Sequence, residues 1–215
     1  MNHIQSIVLM ILPLMLAVIL HEVSHGWTAE KLGDPTARLM GRITLNPVSH
    51  VDLFGTILVP GIFLLTGAHF LIGWAKPVPV NFGNLRGGRR DMALVAISGP
   101  LTNLLLAVVS SILFHLTSGA GTAGFSAAVV VPINVMAQYS VLINLVLMVF
   151  NLLPILPLDG GRIAVGLLPE KLAIPLQRTE RWGMLLVLLF VVSDMWRYLV
   201  SPVIYVFLQI LGMKI

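Results

Sequence analysis

The chain has 215 residues, of which 57% are hydrophobic and only 10% charged. An average soluble domain carries about 25% charged residues, so thirteen bases and nine acids cannot coat a water-soluble globule, and neither an ordinary cytosolic enzyme nor a disordered chain fits. With no cysteine, disulfides, thiol nucleophiles and thiolate metal sites are excluded.

Five apolar blocks follow one another. The first, residues 4–32, closes on Gly33-Asp34-Pro35, where the glycine can cap a helix in the left-handed conformation and the proline stops it. It has no basic leader and no small-residue cleavage site, so it reads as a retained span and not a signal peptide. Residues 38–50 form a linker with a short strand-like alternation, Arg42-Ile43-Thr44-Leu45. The second block, residues 53–74, is broken by Pro60-Gly61 and Gly67, and Lys76-Pro77-Val78-Pro79-Val80 behind it is held extended by its prolines. The third and fourth blocks are residues 92–116 and 127–153, joined by an uncharged turn at 119–124. The last, 182–213, is interrupted at Ser193-Asp194 and Ser201-Pro202 and reads as one tilted span or two shorter pieces. The expected architecture is an all-α polytopic membrane protein with a single membrane-embedded domain over 1–215. Its core covers about 4–165 and its C-terminal membrane segments about 181–213.

Loop charges choose the topology. If block two crosses fully, Lys31, Arg38 and Arg42 lie opposite the eight bases between Lys76 and Arg181. If it re-enters, all eleven share one face and the uncharged turn at 119–124 faces the other, which is what the positive-inside rule asks for. The re-entrant arrangement predicts an external N-terminus and a His21 end near the cytoplasm of a prokaryotic plasma membrane. The positive net charge follows from these loops. Nucleic acid is not an expected partner, because no basic stripe with interleaved aromatics exists.

The chemistry starts at His21-Glu22-Val23-Ser24-His25. Residues four apart share a helix face, so both imidazoles can reach one metal, and neutral histidine nitrogens suit zinc. Glu22 is placed to take the proton of a bound water. Three ionisable groups inside a span are expensive, which itself argues for function. A third ligand is needed, and His50, Asp52, Asp91, Asp159 and Asp194 all sit near membrane ends. Asp159 follows the fourth span in Asn151-Leu-Leu-Pro154-Ile-Leu-Pro157-Leu158-Asp159-Gly160-Gly161, where prolines break the helix and glycines allow close backbone approach. From Ile4 to His21 a helix rises about 26 Å, nearly across a core of about 30 Å. In the re-entrant topology the fourth span ends on that same side, so His21, His25 and Asp159 can converge.

These motifs resemble those of the site-2 proteases, the intramembrane zinc metalloproteases of peptidase family M50. The His-Glu-Val-Ser-His run matches the family's first motif and Asn151-x-x-Pro154-x-x-x-x-Asp159-Gly160 its second, while Ser98-Gly99-Pro100-Leu101-Thr102-Asn103 resembles its Gly-Pro-x-x-Asn signature. The resemblance implies a core of three helices, a re-entrant or additional apolar segment, and a C-terminal helix or helices. It implies one Zn2+ per chain on His21, His25 and Asp159, Glu22 as general base, and Asn151 near the substrate carbonyl or the bound water. Asn103 is a further candidate donor to the oxyanion, and His50 a candidate for holding the metal histidines from outside. With no inserted PDZ-like segment and no C-terminal CBS pair, the chain resembles the compact branch of the family.

The implied reaction is hydrolysis of peptide bonds within or near transmembrane segments of other proteins, with a membrane protein and lipid as partners and no assignment of oligomeric state. A helical substrate hides its carbonyls, so it must unwind and lie extended, with residues 42–45 or 78–80 as the expected edge for strand addition. Two rivals are a catalytically silent relative that binds membrane helices as an adaptor, and a metal transporter. The transporter needs polar groups spaced through the bilayer, whereas the third and fourth spans carry no acid in their interiors.

Overall fold

The first apolar block is one helix, α1 (His3–Lys31), in the computed structural model, which describes residues 3–59, 61–62, 73–118 and 125–213. It ends as Gly33 predicts. Gly33 has φ 115°, its N–H donates to the Glu30 carbonyl at 3.2 Å, and the Asp34 N–H reaches back to the Ala29 carbonyl at 2.9 Å. Those two bonds satisfy carbonyls that a helix end otherwise leaves open, and glycine adopts that φ without a Cβ clash.

The chain then folds around Asp34, whose side chain is fully buried. Its carboxylate accepts from the Thr36 N–H at 3.2 Å, the Thr36 hydroxyl, the Asn81 N–H at 2.7 Å and the Asn84 side-chain amide at 2.8 Å. One buried charge therefore pins the start of α2 (Thr36–Leu39) to the stretch that leads into the next span. Burial pushes this carboxyl up, but the four donors outweigh it and hold it below the ordinary aspartate value.

Residues 42–45 are not a strand, and no strand occurs among the described residues. Their polar groups find local partners instead of a ladder: the Thr44 carbonyl accepts from His50 Nε2 at 2.9 Å and its hydroxyl accepts from the Asn46 N–H at 3.2 Å. The second apolar block starts with a π-turn, Leu53–Leu58. Its far end comes back to this point. The Trp74 N–H donates to the Gly55 carbonyl at 3.0 Å, and the Thr56 hydroxyl donates to the Trp74 carbonyl at 2.9 Å. A straight crossing would separate these ends by about 30 Å, so the two described ends of the block lie on one face, as the charge count expects. Pro60, Gly67, His69 and the turn at 119–124 lie outside the described residues.

The two following spans are α3 (Arg89–Ser118) and α4 (Phe125–Asn151). Together with α1 they are the three described helices long and apolar enough to cross a membrane. The loop after α4 leads to α5 (Asp159–Leu167) and then α6 (Glu170–Arg178), α7 (Glu180–Val192), α8 (Met195–Leu199) and α9 (Ser201–Ile210). Helix α3 is central and packs on α1, α4 and α5. One apolar cluster, including Ala107, Leu145, Phe190 and Ile204, joins α3 and α4 to the C-terminal helices. A second, including Ala29, Met92, Leu156 and Val165, ties the end of α1 to the start of α3 and to α5. The outward sides of α1 and α3 show Ile7, Val8, Leu105 and Ile112. The chain is an integral membrane protein.

The last block, open in the sequence between one span and two, is a sharply bent helix pair whose two ends lie at opposite ends of α3. Helix α7 and the α8–α9 pair meet at 78° beside Asp194, which has φ 59°. Gly183 near the start of α7 presses on the Leu156 carbonyl, on the same side as the loop before α5. At the other end the Leu211 carbonyl accepts from the Ser111 hydroxyl at 3.0 Å and from His115 Nε2 at 2.8 Å, near the far end of α3.

Two outcomes follow from this arrangement. Asp34→Asn loses a charged acceptor and should cost about 1–3 kcal/mol, read as a lower thermal unfolding midpoint in detergent at pH 7. Because the folded-state carboxyl is depressed, its contribution is present above the unfolded value of about 3.9 and fades as pH falls through the lower folded value. The gap between wild type and variant should therefore close in acid. Single cysteines at Arg38 and Arg89 should label from the same side of the membrane, and labelling from opposite sides would refute the re-entrant block.

Candidate metal centre

His21 and His25 lie one turn apart on α1 and turn their Nε2 atoms toward each other, 3.1 Å apart. Asp159, the first residue of α5, enters the same space, with Oδ2 3.2 Å from His21 Nε2 and Oδ1 3.4 Å from His25 Nε2. Among the described residues this is the one group of three or more His, Asp or Glu side chains whose ligand atoms lie within 4.8 Å of one another. The other candidates for the third ligand are engaged locally. Asp52 accepts from the Gly55 N–H, Asp91 from the Gly87 N–H and Asp194 from Trp196 Nε1. His50 donates to the Thr44 carbonyl from Nε2, and its buried Nδ1 makes no hydrogen bond to either histidine.

Small residues make the convergence possible. A Cβ on Gly99 of α3 would stand 2.5 Å from His25 Nε2 and 2.6 Å from His21 Nε2, so this position must be bare for the imidazoles to meet beside α3. A Cβ on Gly160 would strike the Leu152 carbonyl, and one on Gly161 would lie 2.5 Å from the Leu156 nitrogen. The first turn of α5 can therefore fold tightly against the loop that carries it, and Asp159 is swung under α1.

The outer nitrogens fix the tautomer of each neutral ring. His25 Nδ1 lies 2.8 Å from the Val95 carbonyl, which can only accept, so Nδ1 carries the proton. For His21 the same conclusion comes through two amides. The Ser140 carbonyl accepts from Asn144 Nδ2 at 2.8 Å, which turns Asn144 Oδ1 toward Asn103. Asn103 Nδ2 donates to that oxygen at 2.8 Å and to the Ala17 carbonyl at 3.3 Å. Asn103 Oδ1 therefore faces His21 Nδ1, 2.5 Å away, and takes its proton. A fixed backbone carbonyl thus orders the whole chain of flips and tautomers.

In the neutral rings both inner Nε2 atoms carry lone pairs, and Asp159 Oδ2 beside them is buried without a hydrogen-bond partner. A carboxylate and two imidazole nitrogens converging in a buried pocket are the donor types that a metal cation takes. This donor set fits a zinc ion with an open fourth position.

The remaining sequence candidates divide. Asn103 is fully buried, and both its amide hydrogens are engaged, so its place is behind His21 and not at a substrate oxygen. Asn151 ends α4 and gives one hydrogen to the Leu147 carbonyl at 3.0 Å. Glu22 accepts at Oε2 from the Val78 N–H at 2.7 Å. Asn144 was missed, although its signal was present, since an amide inside a span is costly without a partner.

The model of peptidase family M50 matches residues 9–134 and 120–193. The Bacillus subtilis protein named "Putative zinc metalloprotease YwhC" is 36% identical over 198 residues, which cover 91% of this chain and 85% of that one. The Mycolicibacterium smegmatis protein named "Putative zinc metalloprotease Rip2" is 26% identical over 215 residues, covering 100% of this chain and 78% of that one. No solved structure matches.

Gly99→Ala should abolish stoichiometric zinc, measured by elemental analysis of detergent-purified protein. Asn144→Leu should weaken zinc by about 10–100-fold while the protein stays folded, because His21 then loses the acceptor chain that fixes its tautomer. Unchanged affinity in Asn144→Leu would show that the order of this chain does not matter to the metal.

Proposed function

The chain belongs to peptidase family M50, and from that membership we propose that it is an intramembrane zinc metalloendopeptidase. One zinc ion per chain sits on His21, His25 and Asp159, and the target is a peptide bond within or near a transmembrane segment of another protein. The observation that supports this best is the convergence of two imidazole nitrogens and a carboxylate beside α3, with each imidazole's outer nitrogen engaged elsewhere.

A bound zinc ion supplies an acidified water, with pKa near ~7, and polarises the scissile carbonyl. The chain's own groups do the rest. With Oε2 engaged by the Val78 N–H, Glu22 keeps Oε1 to accept the water's proton and return it to the leaving amine. Asn151 retains a second amide hydrogen for the oxyanion that develops on the substrate. Asn103 holds His21 in the tautomer that presents Nε2.

The substrate must be unwound before attack. Residues 42–45 are no strand, and in the expected edge 78–80 the Val78 N–H is engaged while Pro79 has none. Only Val80 can donate there, so pairing along that edge rests mostly on its carbonyl acceptors. The basic loops and the metal centre share one face, which we assign to the cytoplasmic side of a prokaryotic plasma membrane.

Detergent-purified protein should contain one zinc per chain and cut a transmembrane peptide. Glu22→Gln should retain zinc and lose about 10²–10⁴-fold in rate, while Asp159→Ala should lose the metal. Cleavage persisting in Glu22→Gln would sink the mechanism. Full zinc with no cleavage of any transmembrane peptide by the wild-type protein would favour an adaptor.

A further inference from the structure

We propose that residues 74–79 form a strap that fixes the orientation of Glu22, and that Arg42 is the positioning residue that anchors it. The inference rests on the reading of Glu22 as general base. In an extended segment, the N–H and carbonyl of alternate residues point to the same edge. Here residues 74, 76 and 78 present that edge to the body of the protein. The Trp74 N–H and carbonyl are tied to Gly55 and Thr56. The Lys76 N–H donates to the His50 carbonyl at 2.9 Å, and its carbonyl accepts from Arg42 Nη2 at 2.9 Å. The Val78 N–H donates to Glu22 Oε2 at 2.7 Å. Four anchoring bonds thus precede the one that reaches the base.

The sequence stiffens this strap. Pro77 and Pro79 fix their own φ and bias Lys76 and Val78 toward extended backbone. They also lack N–H groups, so Val78 is the only backbone donor in 77–79. The strap lies flat on α1 because Gly26, one turn beyond Glu22 and on the same face, has no side chain. A Cβ there would stand 2.8 Å from Val78 Cγ1.

Arg42 is 8% exposed, and its Nε has no hydrogen-bond partner. A buried guanidinium held by a neutral carbonyl is a costly way to fill space. It does bridge 34 residues of sequence and fastens the strap two residues before its contact with Glu22. An unrestrained glutamate samples many rotamers. The strap selects one, engages Oε2 and leaves Oε1 for the proton.

The test uses the full chain in detergent, with kcat and KM on a transmembrane peptide, zinc content, and hydrogen exchange of the peptide spanning 74–80. Val78→Pro and Val78→Ala both remove the isopropyl group, but only the first removes the N–H. Val78→Pro should show kcat about 10–100-fold below Val78→Ala with similar KM and full zinc. Arg42→Ala should lose kcat by about tenfold, and Arg42→Lys should recover part of it. Exchange in the strap should accelerate in both Arg42→Ala and Glu22→Ala, which reads the coupling without any turnover. Equal kcat in the two Val78 variants, or strap exchange unchanged in Arg42→Ala and Glu22→Ala, would overturn the proposal. If zinc-loaded wild type cuts nothing, the protease reading fails, and the exchange measurements alone decide whether the strap holds Glu22.

Discussion

A neutral imidazole has two nitrogens and one proton, and where that proton sits decides what the ring can do. In this protein His21 and His25 are each given an acceptor on the outside, the Val95 carbonyl for His25 and Asn103 Oδ1 for His21. Their inner nitrogens are thereby emptied. The apolar surroundings sharpen this constraint, since a buried polar group without a partner is costly in a membrane. The interior amides Asn103 and Asn144, and the direction each one faces, follow from that need.

Helix α3 carries most of the consequences. It supplies the Val95 carbonyl, the bare surface at Gly99 and the amide of Asn103 within little more than two turns. Its first turns also receive α5, since a Cβ on Gly166 would lie 2.6 Å from the Arg89 carbonyl. The same helix therefore positions the two histidines from one side and the element bearing Asp159 from the other. Ordinary helix packing at about 8–10 Å brings the three side chains together.

The connection between α1 and α3 does a different job. Its backbone is held by side chains and turns, with Asp34 pinning one end and Arg42 and His50 the middle. Because both ends of the second apolar block meet at Gly55 and Trp74, the start of α3 stays on the face where α1 ends. That return places Glu22 next to Val78 and lets the fourth span finish beside the histidines.

Much of this was legible in the chain itself. Scarce charge marked the membrane class, the four-residue spacing put His21 and His25 on one face, Gly33 closed α1, and the loop bases chose a re-entrant second block. These are local or additive properties, which need only neighbours in sequence or a count of charges. Other features depended on long-range contacts. His50, Asp52, Asp91, Asp159 and Asp194 were equal as ligand types, and only the packing of α5 on α3 brought Asp159 to the histidines. Asn103 has the chemistry of an oxyanion donor, and only its bonds to Ala17 and Asn144 placed it behind His21. Which groups must be satisfied inside the membrane follows from residue type and hydropathy, and so can be read without a fold. Which partner satisfies each was decided by the tertiary structure alone, because hydrogen bonds and metal ligands act over about 3 Å between residues up to 138 positions apart, as from His21 to Asp159.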